Sequence, residues 1–317
     1  MLDGELDDAI LYTLPKGLQR YTARAAAYGG LRVNHPYWRY YVSMNLTQPP
    51  FDDVHVRRAL SWVLDRRRLL DAAGGRLGGS PAQHILPDAL LGGRLRDFAP
   101  FKTPGDRGDP AKARAEMAKS KYANRRGVCT AGACKNVPLS PLVFCTCYAI
   151  GQRIAPFIRA DAAKIGIRFE YRSHVFDQLL MPSKNISIAP NVEWVGDYAE
   201  PAAFLERTFA GSSIVPTPNL NTSLVGLTRA RAQALGVKGR VAGVPSVDRD
   251  LARCGALRGA RRLDCYAALD RKLSTQIVPW IPYLWRSRIN ILGRQVARWR
   301  YDQSTGATSF AHVAVRG

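Results

Sequence analysis

The 317-residue sequence predicts an α/β fold, and three observations near its centre support this class. Residues 139–147 form an apolar, strand-like stretch, and residues 167–171 form a second one. Between them, apolar side chains recur at helical spacing at Ile154, Phe157, Ile158 and Ile165. Gly166 then suits the positive φ that often ends a helix. A strand, a helix and a strand in this order predict two parallel strands joined by a right-handed crossover.

The first half of the chain adds one strand and two helices to this centre. Residues 37–44 are rich in aromatic side chains, which indicates a strand. The Pro-Pro pair at 49–50 breaks the chain, and Asp52 or Asp53 then caps a helix. That helix carries one apolar stripe, formed by Val56, Ala59, Leu60, Val63 and Leu64. The Asp-Pro pair at 109–110 supplies the cap and the first-turn proline of another helix.

The remaining segments are predicted from composition and from shorter apolar patterns. Residues 74–108 and 211–250 are rich in glycine and proline and are expected to be loops. Residues 186–195 indicate a strand, and residues from 288 onward have strand-like apolar positions. A last helix is marked by Leu263, Tyr266, Ala267 and Leu273.

The net charge of +21, from 46 basic and 25 acidic residues, raises the possibility of a nucleic-acid-binding protein. The basic residues are spread along the chain, with dense clusters only at 66–68 and 261–262. The sequence contains no zinc-finger spacing, no aromatic RNA-binding signature and no helix-turn-helix pattern. A solvated basic surface is the preferred interpretation. Nucleic-acid binding stays as the alternative, and its test is a steep dependence of affinity on salt.

Catalytic, cofactor and metal-binding motifs are absent from the sequence. There is no G-x-S-x-G, no H-E-x-x-H and no Walker glycine loop. The histidines stand apart in unrelated settings at His35, His55, His84, His174 and His312. We therefore expect a protein that is not an enzyme and that needs no cofactor or metal, and a hydrolase with unrecognised residues is a remote alternative. No run of eighteen apolar residues predicts a membrane span.

An even number of cysteines favours disulfides, and hence an oxidising compartment, over free buried thiols. The six are Cys129, Cys134, Cys145, Cys147, Cys254 and Cys265. The two at 145 and 147 would share one face of the predicted strand, so a bond between them would be strained. Each is therefore expected to pair with a cysteine of the 129–134 loop, which leaves Cys254 to pair with Cys265.

The most informative segment for binding is EWVGDYAEPAAFL at residues 193–205. Asp197 follows a predicted strand, and α/β sheets place ligands at strand ends. A carboxylate there can accept a charge-assisted hydrogen bond from a ligand ammonium, worth about 1.5–3 kcal/mol. Trp194 would form a wall of the pocket. The alternative is that Asp197 only caps the helix that starts near Pro201 or forms an Asx-turn.

Several segments resemble the C-terminal lobe of the family 5 extracellular solute-binding proteins, the oligopeptide, dipeptide and nickel-type receptors of ABC importers. The most specific match is the series YYVSMN, PPFDD, VRRAL and LDR between residues 40 and 66. The further matches are GELD at 4–7, DPAKA at 109–113, IGI at 165–167, EWVGDYAEPAAFL at 193–205, and Pro279 with Pro282. These matches run through nearly the whole chain.

The resemblance implies an α/β, periplasmic-binding-protein-like fold of type II, in which two lobes close on a ligand like a Venus flytrap. It divides the chain into residues 1–33, a remnant of the N-terminal lobe and hinge, residues 34–289, the C-terminal ligand-binding lobe, and residues 290–317, which return to the first lobe. Family members are longer chains, so most of the first lobe and the secretion signal are expected to lie outside this sequence.

The same resemblance implies the function and the site. The expected function is the substrate-binding component of an ABC importer that captures a peptide or a similar amine-bearing solute. Asp197 would take the α-ammonium, with Trp194 and Tyr198 nearby and the backbone around Val195 alongside an extended peptide. Glu193 stands where the family often has glycine. The implied partners are the ligand and membrane permease subunits, with no nucleic acid; the protein would be a monomer, extracellular and lipid-anchored.

Overall fold

The computed structural model describes residues 8–11, 30–34, 38–141, 146–172, 178, 180–303 and 305–316; at 8–11 and 146–149 it describes the backbone. The strands in this part of the chain are β1 (Asp8–Leu11), β2 (Gly30–Asn34), β3 (Arg39–Met44), β4 (Gly79–Pro81), β5 (Val137–Leu139), β6 (Phe169–Tyr171), β7 (Ile188–Trp194), β8 (Trp280–Arg286), β9 (Arg288–Leu292), β10 (Val296–Arg298), β11 (Tyr301–Asp302), β12 (Ala307–Thr308) and β13 (Ala314–Val315).

The helices surround these strands. They are α1 (Val54–Val63), α2 (Arg66–Ala72), α3 (Gly75–Gly78), α4 (Pro110–Met117), α5 (Thr146–Ala163), α6 (Pro201–Phe209), α7 (Arg229–Ala234), α8 (Asp248–Ala256) and α9 (Gly259–Lys272). A π-helical turn, Leu273–Ile277, follows α9 and leads toward β8. Short 3-10 turns join several of the other elements.

A six-stranded mixed sheet in the order β4-β8-β3-β7-β5-β6 forms the centre of the molecule. The pairs from β4 to β7 are antiparallel, whereas β7, β5 and β6 run parallel. The parallel pairing of β5 with β6, which α5 connects, confirms the predicted strand–helix–strand centre. Gly166 ends this helical unit with a φ of 85°, as expected for a residue without a Cβ.

Helices cover both faces of this sheet. Successive side chains of a strand point to opposite faces, so the sheet contributes side chains to two hydrophobic cores. In β3, Tyr40, Val42 and Met44 belong to one hydrophobic core, which also takes in side chains of α1, α2 and α5. Tyr41 belongs to the other core, which α6, α8 and α9 complete. The result is a three-layer α/β arrangement.

Two of the predicted helix starts are confirmed in their capping geometry. Asp53 caps α1 by accepting a hydrogen bond from His55 N at 2.9 Å. Asp109 caps α4 through Ala111 N and Lys112 N, with Pro110 in the first turn. Both follow the rule that an aspartate before the first turn satisfies otherwise unpaired N–H groups.

The strand predicted at residues 139–147 is wrong over most of its length. β5 ends at Leu139 and α5 already begins at Thr146, while residues 142–145 lie outside the described part. The physical reason is the spacing of Ile150, Ile154 and Ile158, which are four residues apart and extend the apolar stripe of the central helix beyond its predicted start.

The disulfide prediction is half right. Cys254 bonds to Cys265, as expected, across a Cα separation of 5.4 Å. Cys129 bonds to Cys134, so the predicted bonds to the cysteines at 145 and 147 are wrong. A 3-10 turn at Gly132–Cys134 folds this loop back and brings the two Cα atoms within 6.1 Å, which a disulfide can span. Cys145 lies outside the described residues, and of Cys147 only the backbone is described.

The two segments predicted to be loops contain short regular elements. Residues 74–108 include α3 and β4, and β4 forms an edge of the six-stranded sheet by pairing with β8. Residues 211–250 include α7 and the first turn of α8. Elements of three to six residues have too few positions for hydrophobic periodicity to reveal them, so tertiary pairing decides their structure.

A second, three-stranded antiparallel sheet in the order β1-β9-β2 adjoins the first. Among the described strands, the chain changes from one sheet to the other in two passages, from β2 to β3 and from β8 to β9, and residues 35–37 of the first passage lie outside the described part. The residues that flank the two passages are neighbours, because Asn34 pairs with Arg288 on one side and Arg286 N donates to Trp38 O at 3.0 Å on the other. Only these two adjacent segments connect the three-stranded sheet with the six-stranded one in the described part of the chain.

Candidate ligand-binding site

The candidate site lies at the C-terminal end of β7, an inner strand of the six-stranded sheet. Trp194, the last residue of β7, pairs with Arg39 at the start of β3. Its indole packs against the core beside α6, and its buried Nε1 has no hydrogen-bond partner among the described residues. Trp194 is therefore fixed by apolar packing rather than by polar contacts.

Gly196 allows the chain to leave the strand directly over α6. A Cβ at this position would lie 2.5 Å from the ring of Phe204, which is fully buried in α6. Only glycine fits this close approach without a shift of the ring. Asp197 and Tyr198 are the next two residues, and both lie exposed on the surface near α6.

Asp197 is well exposed and weakly paired. Its side chain is 60% exposed, and Arg207 Nε, on α6, lies 3.8 Å from its Oδ2 atom. Ion pairs between exposed side chains contribute about 0–1 kcal/mol, so this contact does not bind the carboxylate firmly. The alternative that Asp197 caps α6 is excluded, since Glu200 occupies the N-cap position.

The other predicted residues take distinct positions around Asp197. Tyr198 is one of the few large apolar side chains exposed among the described residues, at 58%. Val195 is partly buried. Glu193, which stands where the resembled family often has glycine, forms an ion pair with Arg286 Nη1 at 3.2 Å. Trp194, Val195, Asp197 and Tyr198 are thus close in the chain, and in the structure they range from packed against the core to largely exposed.

Sequence reasoning missed two arginines at this site. Arg207 reaches Asp197 from two turns along α6, a contact that depends on how the strand end lies over the helix. Arg39 is fully buried beneath the site, where Nη1 donates to Ile85 O and the guanidinium lies 4.6 Å from the Phe204 ring centre. Burial lowers the pKa of Arg39 to about 9. The position of Arg39 next to Trp194 follows from the register of β3 with β7, which local sequence patterns do not reveal.

A cavity of about 640 Å³ lies beside Arg207. Its walls come from the end of α6, the segment 212–220 and the start of α8. Glu206 and Asp248 are the carboxylates of the wall. Cavities of this size are typical of small-molecule sites. Arg207, the ion-pair partner of Asp197, lines this cavity, whereas Asp197 itself does not.

The described residues show neither a metal-binding cluster nor a membrane-spanning helix. No group of three or more histidine, cysteine, aspartate or glutamate side chains there is arranged to hold a metal ion. Within the same residues, every helix is too short or too polar to span a bilayer.

Comparison with known proteins reveals similar sequences among bacterial binding proteins. Heme-binding protein A of Haemophilus influenzae is 26% identical over 177 residues, which are 55% of this chain and 29% of that protein. Di/tripeptide-binding protein 3 of Pseudomonas aeruginosa is 26% identical over 175 residues, 55% of this chain and 30% of that protein. Both relatives are named as binding proteins, and none of the comparisons supports the nucleic-acid alternative.

Solved structures of the same kind share the fold. The murein tripeptide binding protein MppA of Escherichia coli has a TM-score of 0.68 at 20% identity, over 100% of this chain and 55% of that one. NikA of Brucella suis, in complex with Fe(III)-EDTA, has a TM-score of 0.71 at 16% identity, over 99% and 58%. The predicted α/β, periplasmic-binding-protein-like class is thereby confirmed, and the chain spans little more than half the length of these proteins.

The most direct comparison is with models of protein families. Residues 1–215 match the model described as bacterial extracellular solute-binding proteins, family 5 middle. This match takes in more than half of the chain and includes residues 193–198, Arg39 and Arg207. The chain therefore belongs to the family 5 bacterial extracellular solute-binding proteins.

Proposed function

We propose that this chain is the C-terminal lobe of an ABC importer's receptor and that it captures a peptide or a similar amine-bearing solute. The observation that carries the proposal is the state of Asp197, a carboxylate that is 60% exposed at a strand end and held by one weak ion pair. Such a group is free to exchange its partner for a ligand ammonium.

The surroundings of Asp197 support a peptide-like ligand. Tyr198, next to Asp197 in the chain, exposes 58% of its surface, Trp194 packs against the core, and the backbone at Val195 has just left the sheet. An extended peptide lying along this segment would place its N-terminus near Asp197 and its backbone near the end of β7. The relative from Pseudomonas aeruginosa, a di/tripeptide-binding protein by name, agrees with this ligand class.

The domain division is part of the same proposal. Residues 34–289 would be the ligand-binding lobe, built on the six-stranded sheet, and residues 1–33 and 290–317 would belong to the opposite lobe. The separate β1-β9-β2 sheet supports this division, because it takes its strands from both ends of the chain. The two adjacent passages between the sheets would then be the hinge on which the lobes close.

The family name supports a location outside the cytoplasm. We propose a lipid-anchored receptor that works as a monomer and delivers its ligand to permease subunits in the membrane. The two disulfides agree with an oxidising compartment.

Calorimetric titration of the 317-residue chain with dipeptides tests the proposal. The Asp197→Ala variant is expected to lose at least about 10-fold in affinity, because it loses a charge-assisted hydrogen bond. A matched control is Glu170→Ala, which removes a similarly exposed carboxylate from β6 at the far edge of the sheet.

The control variant should bind as the wild type does. Equal affinity of Asp197→Ala and wild type would remove Asp197 from the site. Equal affinity for the dipeptides and for their N-acetylated forms would contradict capture through the ammonium group.

A further inference from the structure

A second cavity, of about 340 Å³, lies far from Asp197. Leu46, just beyond the end of β3, lines it, whereas Arg39 at the start of β3 lies beside Trp194. Seven residues of extended chain separate the two ends, a distance of about 20 Å. This cavity is therefore a different place from the proposed peptide site.

The cavity has a charged wall and an apolar wall. Its cations are Arg57, Lys121 and Arg240, and its carboxylate is Asp52. The apolar lining comes from Leu46, Val54, Ala242, Val244 and Pro245, and Gln276 adds an amide. Three cations to one carboxylate leave this wall with a positive excess.

Asp52 does not neutralise all three cations. It accepts a hydrogen bond from Tyr122 OH at 2.7 Å and pairs with Lys121 Nζ at 2.6 Å. Arg240 Nη1 lies 4.0 Å from its Oδ2 atom and is the weaker partner, with its side chain 62% exposed. The carboxylate is thus largely taken by Lys121 and Tyr122, and the guanidinium of Arg240 can turn to another anion.

Arg57 is a buried cation that bonds to neutral groups. It is 4% exposed, and it donates to Ile277 O from Nε at 2.9 Å and to Phe51 O from Nη1. No ion pair of Arg57 occurs among the described residues. Burial lowers its pKa to about 10, against the opposing effect of Asp53 and Asp52, so the group is still charged at neutral pH.

A buried charge without an ion-pair partner is costly, and an anion in the adjacent cavity would reduce that cost. We propose that this cavity is a second binding site, for a small organic anion whose carboxylate or phosphate head contacts Arg57 and Arg240 and whose apolar body contacts Val54, Val244 and Pro245. The volume suits such a ligand, since small-molecule sites begin at about 300 Å³. The site is independent of the proposed peptide site.

Calorimetric titrations at constant ionic strength test this proposal with three probes of similar size. Benzoate carries a carboxylate, phenyl phosphate carries a phosphate, and benzamide is neutral. At least one anion is expected to bind saturably and at least about 10-fold more tightly than benzamide, as charge-assisted hydrogen bonds require. Binding of one anion alone identifies the head group that the site prefers.

Two variants connect that binding to the cavity. Arg240→Gln removes an exposed cation, and Gln276→Glu adds a like charge to the lining; each is expected to weaken anion binding at least about 5-fold. Arg249→Gln, which removes an exposed arginine of α8 outside the cavity, should leave it unchanged. Circular dichroism and thermal melting verify that the variants fold.

The proposal is overturned if neither anion binds saturably, or if benzamide binds as tightly as the anions. It is also overturned if both Arg240→Gln and Gln276→Glu retain wild-type affinity for the anion. Weakening by Arg249→Gln to the same extent would attribute the binding to net charge rather than to the cavity.

Discussion

Two aspartates in different regions of the molecule illustrate how a carboxylate's surroundings set its role. Asp270, in α9, is fully buried and accepts hydrogen bonds from Ile85 N at 3.0 Å and Leu86 N at 2.7 Å. His84 Nδ1, at 3.2 Å, and Ser274 Oγ, at 2.8 Å, complete its donors. Asp197 is 60% exposed and has, among the described residues, one ion pair at 3.8 Å.

This difference separates a structural group from one available for binding. Asp270 attaches residues 84–86, in the middle of a long connection, to α9, and every partner it needs belongs to the same chain. Asp197 has unused acceptor capacity toward solvent. A carboxylate that lacks partners in its own chain has capacity left for a ligand, and one that is fully bonded has none.

The largest expected effect comes from replacing the buried carboxylate. Asp270→Asn should lower the free energy of unfolding by about 3–5 kcal/mol, because the new amide N–H groups would face the N–H groups of Ile85 or Leu86. Urea denaturation measures this loss. A change below about 1 kcal/mol would mean that the donors find other partners, and the contrast with Asp197 would fail.

The pH dependence of stability sharpens the same contrast. Burial raises the pKa of Asp270, but hydrogen bonds from His84, Leu86 N and Ile85 N outweigh it and hold the pKa below its ordinary value. Such a carboxylate adds stability that is present above its unfolded-state pKa of about 3.9 and is lost as the pH falls through the folded-state pKa.

Wild-type stability should therefore fall on acidification below about pH 4, and the slope should be shallower in Asp270→Asn. Urea denaturation over a series of pH values gives both slopes. Glu116, whose pKa is also lowered, adds to the slope in both proteins, so the difference between them is the informative quantity. Identical slopes would show that folding does not change the pKa of Asp270.

A somewhat smaller effect is expected from the bond between Cys254 and Cys265, which joins α8 to the helix that carries Asp270. Replacing both cysteines by alanine should cost about 2–4 kcal/mol, since the bond closes a loop across a sequence separation of 11. Thermal melting of the variant and of the wild type measures the loss. If it exceeds that of Asp270→Asn, the covalent bond, not the carboxylate, dominates this region.

The smallest expected effect on stability is that of Asp197→Asn. An exposed side chain with one weak ion pair should change the free energy of unfolding by no more than about 0.5 kcal/mol. Urea denaturation of this variant beside Asp270→Asn completes the comparison. Destabilisation by more than about 1 kcal/mol would give Asp197 a structural role.

Much of the central fold was predictable because its elements carry strong local signals. Each confirmed feature depends on residues close in the chain. These features are the apolar stripe of α1, the N-caps at Asp53 and Asp109, and the end of the central helical unit at Gly166. The sequence predicts a strand at the start of α5 because apolar residues fit either the strand or the helix period over so short a stretch. The bond between Cys129 and Cys134 depends on a 3-10 turn that spacing alone does not reveal.

The candidate site is predictable from sequence only in the part that is contiguous in the chain. Residues 194–198 are contiguous, so a motif can identify them together. Arg207, Arg39 and the second cavity come from contacts between distant segments, such as the register of β3 with β7 and the packing of residues 240–245 near α1. Local patterns in one sequence do not contain that information.

The most direct measurement of the central claim is the ¹³C carboxyl resonance of Asp197 during titration with a ligand. Two ligands are compared, Ala-Ala with a free amino group and its N-acetylated form, which has no ammonium. This resonance responds to the charge and hydrogen bonding of the Asp197 carboxylate. It therefore reports the contact with the ligand directly, whereas a loss of affinity in a variant can also come from a loss of stability. The account predicts that Ala-Ala shifts the Asp197 resonance saturably and that the acetylated dipeptide does not. A resonance unmoved by Ala-Ala, or moved equally by both, would contradict it.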